Sequence, residues 1–271
     1  MTPITDPDEL KRIELGILRD VARFCEKHGI RYFLSGGTLL GAVRHKGFIP
    51  WDDDVDIAML RPDYERFLRE YRSERYTIRS LETDGYVAAF AKVIDTKTIV
   101  EENEISLKGL GVWLDVFPLD GSPSKNYNPH RSPAWRFWKK AIRFRNLPFS
   151  GPERTRKQRI GILLSAPLRF LSNRFLVGRL RLIAMRHSIK DAPFIGCLVG
   201  PYPCARELLP RSVFKGEDAI VSFEGDSFRT MPGWREYLTS LYGDYMTPPP
   251  PEKRESTHRF KAWWKEEIET L

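Results

Sequence analysis

Four aspartates fill five positions at 52–56, interrupted only by Val55. The end of this run reads as a strand, in which alternate side chains point to opposite faces. Val55 and Ile57 then turn to the core, and Asp54 and Asp56 stand side by side on the other face. Two carboxylates that close repel each other, and without a cation one of them takes up a proton. A divalent metal removes the conflict. An all-oxygen ligand set favours Mg²⁺, or Mn²⁺ in its place, with positions left for water and phosphate oxygens.

Upstream lies Ser35-Gly36-Gly37. Glycine lets a ligand approach the backbone closely. A helix starting at Thr38–Val43 would turn its free N–H groups and positive dipole end toward a phosphate. Each piece has a plainer reading: a glycine pair is an ordinary turn, and an aspartate run is a solvated loop or a Ca²⁺ site. The Ca²⁺-loop pattern is not met, because no glycine and no spaced glutamate follow the aspartates. In this order on a strand–helix–strand, the two pieces together describe a phosphoryl-transfer site.

The elements that must position these residues follow from periodicity. Asp8–His28 is a helix, with Leu10, Ile13, Ile17, Val21 and Phe24 at helical spacing and Gly29 ending it. Ile30–Leu34 is a strand running into the glycine pair. Pro62–Tyr71 is a helix with proline in its first turn. Tyr76–Ser80 and Val87–Asp95 read as strands of the same sheet, and Thr98–Asn103 as a further strand or its edge. Gly111–Phe117 alternates, with Val112, Leu114 and Val116 on one face and Trp113, Asp115 and Phe117 on the other. A lone charge among aromatics is costly to bury, so a metal or a substrate hydroxyl would account for Asp115. Asp120 falls beyond Pro118, in a turn where aspartate serves the backbone. Ser122–Pro133 is a loop. Ala134–Asn146 and Ile160–Met185 are helical, the second broken at Pro167. Phe194–Tyr202 reads as a strand, Phe214–Phe228 as a hairpin, Trp234–Tyr242 as a helix and Pro248–Pro251 as an extended tail.

Composition narrows the class. The 271 residues suit one large domain, or a domain with a helical annex, and 41% hydrophobic content builds a core. Cys25, Cys197 and Cys204 match no disulfide framework and no zinc spacing, and read as buried thiols in a reducing compartment. There is no signal peptide and no long apolar run, so a cytoplasmic location is expected, with peripheral contact at the inner face of the membrane open. The net charge of +8 is uneven: Arg131–Arg186 holds 15 Lys or Arg against Glu153 alone, leaving the remainder acidic. Such a block faces an anionic partner or is a solvated face. On Ala134–Asn146, Trp135, Trp138 and Ile142 share one side, and Arg136, Lys139, Lys140 and Arg143 another. That pattern suits an anionic membrane surface or packing on the domain. The block lacks RNA-module motifs, which argues against a nucleic-acid partner.

The stretch GAVRHKGFIPWDDDVDI resembles the LicD family, the bacterial phosphocholine transferases and their relatives, which include the animal fukutin-related proteins. AKVID at 91–95, DVFPLDG at 115–121 and YGDYMTPPPPEKRESTH at 242–258 carry the resemblance further. It implies an α/β (α+β) fold of the nucleotidyltransferase superfamily: a mixed sheet flanked by helices. The chain would be one domain, 1–271, with a basic helical insertion at 122–190. It implies Gly36-Gly37, Asp54 with Asp56, and Asp115 as the family's motif positions. Asp54, Asp56 and Asp115 would be catalytic and hold Mg²⁺ or Mn²⁺, with Asp115 on a metal or taking the proton from an acceptor hydroxyl. Ser35, Gly36, Gly37, Arg44, Lys92 and His258 would bind the donor. The implied donor is a CDP-alcohol, CDP-choline first. The implied acceptor is a sugar hydroxyl of a surface glycan, such as teichoic acid or lipopolysaccharide, or of its lipid-linked precursor. Three other readings stand beside this one. They are a nucleotidyltransferase acting on a small molecule or RNA, a non-catalytic Ca²⁺- or glycan-binding protein, and a transferase of phosphoethanolamine, glycerol phosphate or ribitol phosphate.

Overall fold

The computed structural model describes residues 1–83, 86–102, 109–146, 155–164, 166–254 and 260–266. A short strand, β1 (Thr2–Ile4), precedes α1 (Pro7–His28). The Asp6 side chain starts α1 by accepting the Asp8 N–H at 2.9 Å. Ile17, Leu18, Val21 and Cys25 form its fully buried stripe. There follow β2 (Phe33–Leu34), α2 (Gly36–Arg44), β3 (Asp56–Leu60), α3 (Arg61–Glu70), β4 (Tyr76–Arg79), β5 (Ala91–Asp95), β6 (Thr98–Glu102) and β7 (Trp113–Ser122). Three helices come next: α4 (Pro133–Asn146), α5 (Arg156–Leu164) and α6 (Asn173–Ala184). The chain returns through β8 (Phe194–Gly196), α7 (Cys204–Glu207) and β9 (Leu209–Pro210). It ends with β10 (Ala219–Phe223), β11 (Asp226–Thr230), α8 (Trp234–Tyr242) and β12 (Phe260–Trp264).

The fold is a mixed α/β arrangement around a mixed sheet of order β2-β3-β7-β5-β4, with β8 and β9 continuing from the far end of β7. Strands β3 and β7 run parallel; the other pairs in this sheet are antiparallel. Strand β7 is the axis. All ten of its residues are buried, and it pairs with β3, β5 and β8 along its length. Helices α1, α2, α3 and α8 pack their apolar faces on this sheet, in one core that holds Leu18, Leu39, Phe67, Val116 and Leu238.

The structure departs from the sequence reading in several places. Strand β3 begins at Asp56, so Asp54 stands in the coil just before it. Strand β7 runs on through Pro118 to Ser122, so Asp120 lies in a strand rather than a turn. The reason is β8, which takes up antiparallel pairing at Asp120, Gly121 and Ser122. Strand β6 leaves the main sheet and joins β1 and β12 in a small antiparallel one, of which neither partner was expected. The proline run leads into a 3₁₀ turn at Pro251–Lys253. All three cysteines are free and buried, as expected.

Candidate active site

The site is built on one level of the central sheet. Asp56 on β3 pairs in register with Asp115 on β7, and Asp115 pairs in register with Lys92 on β5. The Asp115 N–H donates to the Val55 carbonyl at 2.8 Å, tying the coil that carries Asp54 to β7. The Lys92 ammonium donates to both carboxylate oxygens of Asp115, at 2.8 and 3.1 Å, and lies 4.1 Å from the Trp113 ring centroid. Both residues are buried, so their mutual pairing and the aromatic face offset the loss of water. One oxygen each from Asp54, Asp56 and Asp115 fall within 4.8 Å of one another.

Helix α2 closes against this level. The Ser35 N–H donates to the Asp56 carbonyl at 3.1 Å, and the Asp56 N–H donates to Thr38 Oγ1 at 2.8 Å. Gly36 has φ +54°, a left-handed conformation that costs other residues, and a Cβ there would stand 2.7 Å from Asp56 Oδ2. A Cβ on Gly37 would collide with Asp52 Oδ2. The glycine pair therefore admits the carboxylates to the first turn of a nine-residue helix, whose dipole favours negative charge there. The Gly36 N–H donates to the Tyr237 hydroxyl of α8 at 3.1 Å.

The carboxylates crowd one another. Burial raises the Asp56 carboxyl well above the ordinary range, and the charges of Asp54, Asp115 and Asp52 add to this, while Lys92 acts in the opposite sense. Asp56 Oδ1 and Ser35 Oγ are closed off from solvent and have no hydrogen-bond partner. Lys92 balances Asp115, and Asp56, next to Asp115 in register, keeps an orphaned buried oxygen. This donor set fits a hard divalent cation.

The remaining expected residues are dispersed around this centre. Arg44, at the far end of α2, donates from Nη1 to the Tyr245 carbonyl at 3.0 Å and from Nε to His45 Nε2 at 2.9 Å. It borders a cleft of about 470 Å³ together with Gly37, Trp51, Asp52, Tyr202, Tyr242 and Asp244. Lys92 is beneath Asp115 rather than free to reach out, because both carboxylate oxygens hold its ammonium. His258 lies outside the described residues. Asp120 is bound two-pronged by Arg61, at 2.8 and 2.6 Å, in a buried ion pair separate from the three-carboxylate cluster.

Two acids were not foreseen. Glu207 of α7 joins Ser35, Gly36, Asp56, Tyr202 and Tyr237 around a cavity of about 10 Å³, room for about one water. Burial pushes its carboxyl up to about 8. Nothing in the local sequence marks it, since only tertiary packing buries it. Glu14 of α1 is also buried, with Oε2 unpartnered; burial and then Asp54, Asp53 and Asp52 raise its carboxyl well above the ordinary range. A signal existed here. Glu14 stands four residues after Leu10 and three before Ile17, on the apolar stripe.

Residues 29–151 match the family model described as LicD/FKTN/FKRP, nucleotidyltransferase domain. The lipopolysaccharide cholinephosphotransferase LicD of Haemophilus influenzae is 31% identical over 265 residues, covering 94% of this chain and 97% of that protein. The ribitol 5-phosphate transferase FKRP of human and of mouse is 49% identical over 53 residues, 18% of this chain and 11% of that protein. No helix among the described residues is long and apolar enough to cross a membrane.

Proposed function

The chain belongs to the LicD family, and from that premise and the geometry of its site we propose that it is a metal-dependent phosphoalcohol transferase acting on a cell-surface glycan. The donor is a CDP-alcohol, CDP-choline first, and the acceptor is a sugar hydroxyl of the glycan or of its lipid-linked precursor. The observation that carries this reading is the cluster of Asp54, Asp56 and Asp115 against the glycine turn of α2. We read the chain as one domain, 1–271, carrying a basic helical insertion at 122–190.

Asp54, Asp56 and Asp115 would hold Mg²⁺ or Mn²⁺, which when bound supplies positive charge against a diphosphate. Lys92 fixes the Asp115 carboxylate in position. The Gly36 N–H is committed to Tyr237, so contact with a phosphate oxygen falls to the Gly37 amide, with Arg44 at the rim of the cleft. The acceptor oxygen attacks the phosphorus that bears the alcohol, its P–O bond to the CMP phosphate breaks, and CMP leaves. The proton of the acceptor hydroxyl needs a base near this centre, and Asp115 would take it where it is not itself on the metal.

The cleft beside Gly37 supports choline as the alcohol. Its walls carry Trp51, Tyr202, Tyr242 and Tyr245 together with Asp52 and Asp244. Aromatic faces with nearby carboxylates suit a quaternary ammonium group. The short, higher-identity match to FKRP favours ribitol phosphate as the second reading.

The test is a panel of CDP-choline, CDP-ethanolamine, CDP-glycerol and CDP-ribitol with Mg²⁺ and a glycan acceptor fraction, read as CMP release and as label on the glycan. CDP-choline is expected to turn over fastest. Turnover of CDP-ribitol alone would replace choline by ribitol. Incorporation of the nucleotide into product, with diphosphate released from a nucleoside triphosphate, would replace the transferase by a nucleotidyltransferase.

A further inference from the structure

Seven of the ten large apolar side chains that stand exposed among the described residues lie between Phe137 and Met185. Phe170 is 94% exposed and Leu163 71%. They belong to the same helical excursion that carries the basic block. Its inner side is already satisfied: Trp135, Ile142, Leu176, Val177 and Leu180 bury against one another and against Leu81, Val87 and Ala89. The exposed apolar residues lie outside that buried cluster.

These residues are organised with the cations. On α5, Arg156, Arg159, Ile160 and Leu163 are all exposed and spaced i, i+3, i+4, i+7, which makes a single stripe. Gly161, on the other side of that helix, abuts the Phe144 ring of α4. On α6 and at its C-terminal end, Phe175, Leu182 and Met185 form an exposed row with Arg174 and Arg179 beside it. The Arg179 guanidinium lies 5.6 Å from the Trp138 ring and 5.7 Å from the Phe175 ring. Phe137 meets Trp138 edge-on at 4.9 Å, and Trp138 meets Phe175 at 6.2 Å, so the aromatics of α4 and α6 are continuous. Around them, Arg136, Lys139, Lys140 and Arg143 are exposed on α4.

We propose that the outer face of α4, α5 and α6, including the turn at Phe170, docks on an anionic lipid bilayer, its cations on the headgroups and its apolar side chains in the interface. The charge identifies the occupant. Residues 131–186 carry 15 Lys or Arg and one acid, so a second copy of this chain would set like charge against like. Nucleic acid would take the cations but offers no apolar phase for Phe170, Leu163 and Leu182. A bilayer with acidic headgroups takes both. The helices lie on the surface rather than cross it, because none among the described residues is long and apolar enough to span. This inference stands apart from the identity of the donor: none of these residues lines the three-carboxylate cluster.

The experiment is co-sedimentation of the full chain with vesicles of phosphatidylcholine alone and of phosphatidylcholine mixed with phosphatidylglycerol. Binding to the mixed vesicles alone is expected, weakened about tenfold or more by added salt. Leu163→Ser with Phe170→Ser should lower the affinity about tenfold or more at unchanged thermal midpoint. Lys139→Glu with Lys140→Glu should do the same. Equal binding to both vesicles, binding to neither, or native affinity in the serine variant would overturn the proposal. A concentration-dependent mass without lipid that the serine variant abolishes would overturn it too, and give the face to a second copy.

Discussion

Asp56 and Asp115 hold the same register position on two parallel neighbouring strands, and Asp115 shares its carboxylate with Lys92 across the next strand. Lys92 answers the Asp115 carboxylate, while burial and its acidic neighbours favour a proton on Asp56 until a further cation joins the pair.

The first expectation concerns the cation. Mg²⁺ or Mn²⁺ binds the native state and not the unfolded chain, so it should raise the thermal midpoint of the native protein. Asp54→Asn, Asp56→Asn and Asp115→Asn should each abolish turnover and lose this metal-dependent rise; the first two should fold normally in EDTA, and the third should also lose stability, because it leaves the buried Lys92 ammonium short of charge. A variant that keeps both the rise and near-native turnover removes that residue from the site.

The second concerns pH. Asp56 is held well above the ordinary carboxylate range, mainly by burial and then by Asp54, Asp115 and Asp52. A cation must displace the proton that this environment favours. Metal affinity should therefore rise with pH, with protons released on binding, as calorimetry in two buffers of different ionisation enthalpy would measure. Affinity independent of pH between acid and neutral solution would contradict the crowded-carboxylate account.

Gly36→Ala gives the third. It forces a side chain into a left-handed conformation at roughly 1–2 kcal/mol and pushes on the Asp56 carboxylate. Metal affinity should fall more than stability does. Gly37→Val, which crowds Asp52, should weaken donor binding instead. Native metal affinity in Gly36→Ala would show that the close approach is incidental.

A fourth separates Asp115 from Asp120. Both are buried acids of β7, but Asp120 faces Arg61, which also touches Glu65 at 3.1 Å. Asp120→Asn should cost roughly 3 kcal/mol of stability by leaving a buried guanidinium short of charge, with the folded fraction still active. Denaturant unfolding and turnover per folded molecule decide it. A stable but inactive Asp120→Asn protein would reverse the assignment.

The fifth concerns Glu207. Its carboxyl is raised by burial from 4.5 to about 8. A raised acid contributes stability that is complete below its unfolded value and is lost as pH rises through its folded value. The loss accrues between those two values, at about 1.4 kcal/mol for each pH unit, and is complete above the higher one. Glu207→Gln should gain on the native protein in thermal midpoint as the pH rises from about 5 to about 8, and hold that gain near pH 9. If the two curves run parallel across that range, Glu207 does not titrate there.

Alternation placed Asp115 opposite Val112, Leu114 and Val116, and the spacing of Gly36-Gly37 before Asp54 and Asp56 pointed to a helix start meeting paired acids. These are local properties: a period of two sets the face, and a small residue sets how near a backbone can come. The amphipathic period of α1 and α4 was legible for the same reason. What local pattern could not decide was which strand lies beside which. The parallel pairing of β3 with β7 brings Asp56 to Asp115, the antiparallel entry of β5 places Lys92 under it, and β8 keeps Asp120 in a strand. Burial was equally beyond reach. The sequence singles out neither Glu207 nor Phe170, yet the first is enclosed beside Asp56 and the second stands in solvent. Residue type states what an environment would cost; only contacts between distant segments create that environment.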